Sequence, residues 1–395
     1  MKIAIIGAGP IGVEAAVAAQ AVGHQVRVFE RGQIADAIRQ WGWVRMFSPF
    51  GMNSSPRGIA RLRQSGAAVP EAADLLTGRE YVSGYLDPLA KTLGDSVSTE
   101  TSVLAIGREG QLKGENIGEP QRGTSPFRLL LREGARTDRE RIETADVVLD
   151  CTGVFGQPNP LGTGGLPAVG EAAAEQRILR GLPDLELDWR EEDDRARFLV
   201  VGGGYSAATM ICELFRRQAG RAGGRILWAV RRAGALPCPL ITDDSLPERD
   251  RLARKANALV ADGEVELIAG ATVAAIERTG GQLNVSLAIG EIQRVVAVHR
   301  LLGCCGFRPD QELARELQTQ TCWATEGTYP LAAALLGATG GDCLKVPTPG
   351  AATLRHPEPG YFALGGKSYG RTPNFLIRTG LQQIDSLLAQ LPPAA

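Results

Sequence analysis

Two glycine clusters each close a short apolar run, and the residues beyond them carry opposite charge. The first is Lys2-Ile3-Ala4-Ile5-Ile6 leading into Gly7-Ala8-Gly9-Pro10-Ile11-Gly12, with Glu30 standing 18 residues past Gly12. The second is Phe198-Leu199-Val200-Val201 leading into Gly202-Gly203-Gly204-Tyr205-Ser206-Ala207, with Arg231 and Arg232 at the end of the next apolar run. In a strand–turn–helix unit, one glycine makes the bend and another lets backbone approach a pyrophosphate. A third small residue lets helix lie on strand, while the helix N-terminus offers N–H groups to phosphate. A carboxylate such as Glu30 accepts from ribose hydroxyls. Guanidinium forks such as Arg231 and Arg232 bind a ribose 2′-phosphate, which a carboxylate would repel. Glycine-rich turns also occur as plain connections, but two of them with opposite downstream charges point to two different dinucleotides. The first reads as an FAD site (Gly7, Gly9, Pro10, Ile11, Gly12, Glu30, Arg31). The second reads as an NADPH site (Gly202, Gly204, Tyr205, Ser206, Ala207, Arg231, Arg232).

The elements that must position these residues follow from pattern. A helix is predicted from about Ile11 to Val22, then a strand Gln25–Phe29; the second unit repeats this, with the strand at Arg225–Val230. Thr101–Ile106 and Phe127–Leu131 read as accessory strands, and Glu71 to Leu93 as helices. Residues 161–197 are loop-rich and acidic and read as a surface connection. The charged helix from about Pro247 to Ala261 carries Arg249, Arg251 and Arg254, either on a solvated face or toward phosphates. A helix is expected to begin near Asn374.

These features resemble the flavoproteins with two dinucleotide-binding domains: thioredoxin-reductase-like enzymes, flavin-containing monooxygenases and N-hydroxylating monooxygenases. Ala145 to Gly153, with Cys151-Thr152-Gly153, is similar to the family strand ending in Ala-Thr-Gly. Leu301 to Asp310, through Cys304-Cys305-Gly306-Phe307-Arg308-Pro309, resembles the return segment. Gly360 to Lys367, containing Gly365 and Gly366, resembles the strand whose Gly-Asp pair touches the flavin ribityl chain; Gly366 stands where the aspartate would be. The resemblance implies an α/β fold of two Rossmann-type domains, the NADPH domain inserted into a split FAD domain. The expected bounds are 1–156 and 306–395 for the FAD domain and 157–305 for the NADPH domain. It further implies adenine contact near Val103, flavin-side roles for Arg45 and Phe47 in the aromatic stretch 41–53, and cofactor contacts at Thr152, Gly153 and Gly306. Asn374, Phe375 and Leu376 would open a helix aimed at the flavin, with Lys367, Tyr369 and Arg371 facing substrate; Lys367 and Tyr369 are the catalytic candidates. A hydrophobic loop at 41–53 and a capped, solvent-facing turn at 367–376 are the plainer alternatives.

Composition narrows the class. Lys plus Arg total 43 against 44 acids, for a net charge of −1, which gives no electrostatic case for nucleic acid or an anionic membrane. No run reaches the length of a membrane helix, and Glu14 interrupts the apolar N-terminus, so a cytoplasmic protein is expected. Seven irregularly spaced cysteines give no disulfide framework, and no Cys-x-x-Cys occurs. Cys304-Cys305 reads as small-residue packing or a vicinal disulfide. His24, His299 and His356 lack ligand spacing, so no metal site is expected.

The expectation is an NADPH-dependent FAD oxidoreductase with a small-molecule substrate, oxygenating a nucleophile with O₂ through a flavin C4a-peroxide. The missing dithiol favours oxygenation; the missing Phe-x-Gly-x-x-x-His stretch of the family counts against it. The alternatives are electron delivery to a quinone, an iron–sulfur protein or a thiol compound, and a non-catalytic nucleotide sensor. Substrate and oligomeric state are not legible.

Overall fold

The computed structural model describes residues 1–134, 139–189, 191–218, 225–234, 236–336 and 350–392. Its strands, in chain order, are β1 (Lys2–Ile6), β2 (Gln25–Phe29), β3 (Val97–Ser98), β4 (Thr101–Arg108), β5 (Phe127–Glu133), β6 (Glu140–Ala145), β7 (Val147–Asp150) and β8 (Ile178–Arg180). They continue as β9 (Arg197–Val201), β10 (Arg225–Val230), β11 (Val265–Ala269), β12 (Ala271–Thr279), β13 (Gln282–Ile289), β14 (Ile292–Val298), β15 (Arg300–Gly303) and β16 (Tyr361–Ala363). The chain divides into two compact units, Met1–Gln157 with Phe307–Ala395, and Pro158–Gly306.

The first unit is built on a parallel sheet of order β16-β7-β1-β2-β3. Both faces of β1 are covered, which is why Ile3 to Ile6 form an unbroken apolar run. Successive residues point to opposite faces. Ile3 and Ile5 join the helices Pro10–Ala21 and Ile377–Leu388, whereas Ala4 and Ile6 join Ile106, Phe127 and Leu129 of the antiparallel sheet β4-β5-β6. Pro10, in the first turn of its helix, lacks an N–H that would have no intrahelical partner there, and its fixed φ suits the helix start. The second unit repeats the plan: a parallel sheet β11-β10-β9-β15-β8 and an antiparallel sheet β12-β13-β14. Leu199, Val201, Leu227 and Ala229 pack with Val273, Ile276, Leu283 and Val285. This is the α/β architecture of two Rossmann-type units, one inserted in the other.

Several expectations change. Residues 71–77 are not helical; the helix starts at Gly78, where Thr77 and Glu80 form a capping box, and continues through a π-helical stretch, Val82–Leu86, to Lys91. Residues 161–197 are more than a surface connection. They supply β8, an edge strand of the second sheet, and the buried Glu171, which accepts from the Leu161 and Ala168 N–H groups and pairs with Arg180. Arg249 is not on a solvated face but buried in a two-pronged pair with Asp244, while Arg251 and Arg254 make exposed pairs on their own helix.

His356 leans on the Tyr361 ring, and its Nδ1 accepts the Gln320 N–H at 3.1 Å, so the neutral ring carries its proton on Nε2. Burial pushes its pKa down to about 4. A group whose folded pKa is depressed takes up a proton more readily when unfolded. Stability should therefore fall as pH drops from about 6.5 toward 4. Denaturant unfolding across that range should show a slope that His356→Phe reduces; an unchanged slope would contradict the assignment.

Candidate functional site

Each glycine of the first turn meets a different constraint. Gly7 has φ +94°, and a Cβ there would lie 2.8 Å from the Cys151 carbonyl oxygen at the end of β7. A Cβ on Gly12 would lie 1.9 Å from the Gly7 oxygen, so helix and strand touch backbone to backbone. Gly9 is the opposite case: a Cβ would meet nothing within 4 Å. That open approach to backbone, at the start of a 12-residue helix, is the geometry a pyrophosphate requires. Glu30 is fixed at the mouth of the turn, its carboxylate accepting from the Ala8 N–H at 2.7 Å and the Gly32 N–H at 2.9 Å.

Other predicted residues gather on this edge. Gly153, with φ +67°, faces open space beyond β7. Gly365, with φ +66°, would bring a Cβ to 2.9 Å from Ile11, and the nearest atom to a Cβ on Gly366 would be in Phe375, at 3.7 Å. Arg31 reaches Gly156, where a Cβ would lie 3.0 Å from the guanidinium. Arg45 instead donates to the Leu75 carbonyl and pairs through its backbone with Thr77. In the stretch 41–53, Phe50 is a core residue edge-on to Tyr85, and Ser48 bonds Asn53, so that part of the stretch is a packed loop. Phe47 is half-buried within it, and Val103 is half-buried at an irregularity in β4.

Of the catalytic candidates, Lys367 is 2% exposed and lies in a one-turn helix, Gly366–Tyr369, that the pattern did not reveal. Its ammonium lies 2.6 Å from Asp150 Oδ2 and donates to the Asp310 carbonyl at 2.6 Å and Thr152 Oγ1 at 3.3 Å. Tyr369 is buried against Phe375, and burial raises its phenol pKa. Arg371 is spent near Glu326, at 3.5 Å. The helix expected from Asn374 begins only at Ile377, because Leu376 is extended (φ −123°, ψ 149°) and caps without a side-chain bond.

Asp150 is the residue that sequence reasoning passed over. It is 0% exposed, and its oxygens accept from the Thr152 N–H and hydroxyl, the Tyr361 hydroxyl and Lys367. Burial alone would raise its pKa, but Lys367 and these hydrogen bonds hold the carboxyl below the usual carboxylate range. The available signal was an acid closing an otherwise apolar run, Val147-Val148-Leu149-Asp150.

The second turn repeats the first. Gly202 has φ +134°, and its Cβ would lie 2.3 Å from the Cys304 oxygen at the end of β15, whereas Gly204 is open. Ala207 is fully buried in the small-residue position, and Tyr205 opens the helix Tyr205–Gln218 with Ser206 half-buried beside it. Arg231 and Arg232, at the end of β10, are exposed and without an ion-pair partner among the described residues. Gly306, φ +81°, is close to Asn159, whose N–H group donates to the Cys305 carbonyl. Cys304 and Cys305 are free thiols directed to different carbonyls, of Gly181 and Val201, so they serve as packing residues. Among the described residues no group of side chains could hold a metal ion, and no helix is long and apolar enough to cross a membrane.

Two family profiles, both described as pyridine nucleotide-disulphide oxidoreductase, match residues 4–114 and 89–327. No curated protein sequence matches the chain significantly. Among solved structures, the bacillithiol disulfide reductase Bdr (YpdA) of Bacillus cereus is similar with TM-score 0.70 and 16% identity, covering 98% of each chain. The ornithine N-hydroxylase KtzI of Kutzneria sp. 744 gives 0.69 and 14%, covering 98% of this chain and 97% of the other. The thioredoxin reductase of T. acidophilum gives 0.61 and 14%, covering 98% and 96%.

The glycine geometry makes a stability prediction. Gly9→Ala should melt within about 2 °C of the parent. Gly12→Ala, which forces a Cβ onto backbone, should lose roughly 1–3 kcal/mol despite its better helix propensity. Equal melting of the two variants would mean that the turn is not packed as described.

Proposed function

The chain belongs to the pyridine nucleotide-disulphide oxidoreductase family, and we propose that it is an NADPH-dependent FAD oxidoreductase acting on a small molecule. The observation that carries this reading is the pairing of two open cradles, at Gly9 and Gly204, with opposite strand-end charges, Glu30 and the exposed Arg231 and Arg232. Gly9, Glu30, Gly153 and the Gly365–Gly366 backbone would hold FAD; Gly204, Arg231 and Arg232 would hold NADPH. Bound FAD would supply the redox chemistry, taking hydride from NADPH and passing electrons onward. The protein's own contribution is to bind, orient and exclude water.

For the substrate side we propose oxygenation of a small nucleophile, with O₂ as co-substrate. Its support is the absence of any Cys-x-x-Cys in the sequence and the similarity to an ornithine N-hydroxylase. A second reading, reduction of a low-molecular-weight disulfide, draws on the similarity to a bacillithiol disulfide reductase. Stoichiometry separates them. Oxygenation requires equal amounts of NADPH, O₂ and oxygenated product, whereas disulfide reduction continues without air and yields thiol. Sustained anaerobic NADPH oxidation with a disulfide would overturn the first reading.

Arg231→Ala/Arg232→Ala should raise KM for NADPH about 10- to 100-fold, the loss of one or two charge-assisted hydrogen bonds, and leave KM for NADH nearly unchanged. Equal effects on both nucleotides would show that these side chains do not read the 2′-phosphate.

A further inference from the structure

Lys367 and Asp150 form a buried pair that the proposed redox chemistry does not use. Asp150 ends β7, and the next residue, Cys151, presses its carbonyl on Gly7 of the first cradle. Oδ1 of Asp150 shapes this end by accepting both the N–H and the hydroxyl of Thr152, after which Gly153 turns into open space. The Cys151 N–H returns to the Ile6 carbonyl, at the last residue of β1 before Gly7. A formal negative charge is therefore built into the strand end that backs the cradle, where a pyrophosphate must bring two more.

Burying a lone carboxylate here is costly, and so is bringing phosphate near it. Lys367 answers both. Its three donors go to Asp150, Asp310 and Thr152, leaving none for a ligand, so it cannot itself grip phosphate. Its helix starts right after Gly365, which is packed on Ile11 of the cradle helix.

We propose that Lys367 is a positioning residue for FAD, cancelling the Asp150 charge beneath the cradle so that a dianionic pyrophosphate can bind there. This rests on the reading of the first cradle as the FAD site. A role confined to holding the fold predicts that loss of either partner weakens FAD binding alike. Charge cancellation predicts opposite signs. Removing the cation exposes Asp150 to the phosphates, and removing the anion leaves a cation beside them.

The test is the FAD dissociation constant, measured by flavin fluorescence on reconstituted apoprotein, with the melting temperature of each variant recorded. The parent must bind FAD; if it does not, the FAD assignment fails rather than this proposal. Given binding, Lys367→Met should weaken FAD about tenfold or more. Asp150→Asn should bind as tightly as the parent or tighter, with a steeper loss in salt. The double variant Asp150→Asn/Lys367→Met, neutral again, should return to within about threefold of the parent, and it keeps the comparison available if Lys367→Met does not fold. Equal weakening in both single variants, a double variant as weak as Lys367→Met, or Lys367→Met that binds like the parent would overturn the proposal.

Discussion

In each unit a strand-end carbonyl is pressed against the first glycine of a turn, and the rest of the unit is arranged around that contact. The Cys151 oxygen bears on Gly7 and the Cys304 oxygen on Gly202, so near that no side chain fits between. The contact requires β7 to lie beside β1, and β15 beside β9, as the sheets have them. It also fixes where the turn opens. With one glycine committed to the neighbouring strand, the second, Gly9 or Gly204, is left facing outward with bare backbone. Two of the glycines at the first turn thus serve packing, and Gly9 alone of the three leaves its backbone open.

What differs between the units is charge. Glu30 is held by the backbone of its own turn, which orients its carboxylate before any ligand arrives. Arg231 and Arg232 are exposed on β10's end and free of ion pairs among the described residues. The strand ends behind the turns differ as well. The first carries Asp150 and its buried counter-ion, whereas the second has Gly303 at the matching place before Cys304, with the Arg180 guanidinium packed beside it. A fold repeated twice has been given two electrostatic characters by a handful of residues at strand ends.

The glycine turns, the strands after them and the charged residues at the strand ends were legible because each is a local signal, set by neighbours within one strand–turn–helix unit. The same locality explains what escaped. The Lys367 and Asp150 partners come from distant parts of the sequence, and no local pattern announces a buried pair; a lysine among Gly, Ser and Tyr looks like a surface turn. Strand β8 is three residues long and exists because β15 offers an edge to pair with. Arg249 belongs to a helix whose other arginines are solvated, and its partners Asp244 and Tyr205 lie outside that helix. The start of the last helix slipped from Asn374 to Ile377 because an extended Leu376 follows the turn, and Asn374 makes no cap.

If one chain carries two separate dinucleotide cradles of different electrostatic preference, FAD and NADP⁺ must bind without competing. Calorimetric titration of the purified protein with FAD, with NADP⁺, and with NADP⁺ after FAD saturation decides this. One FAD and one NADP⁺ per chain are expected, with FAD leaving the NADP⁺ stoichiometry unchanged. Mutual displacement at a single site, or a protein that binds neither FAD nor NADP⁺, would contradict it.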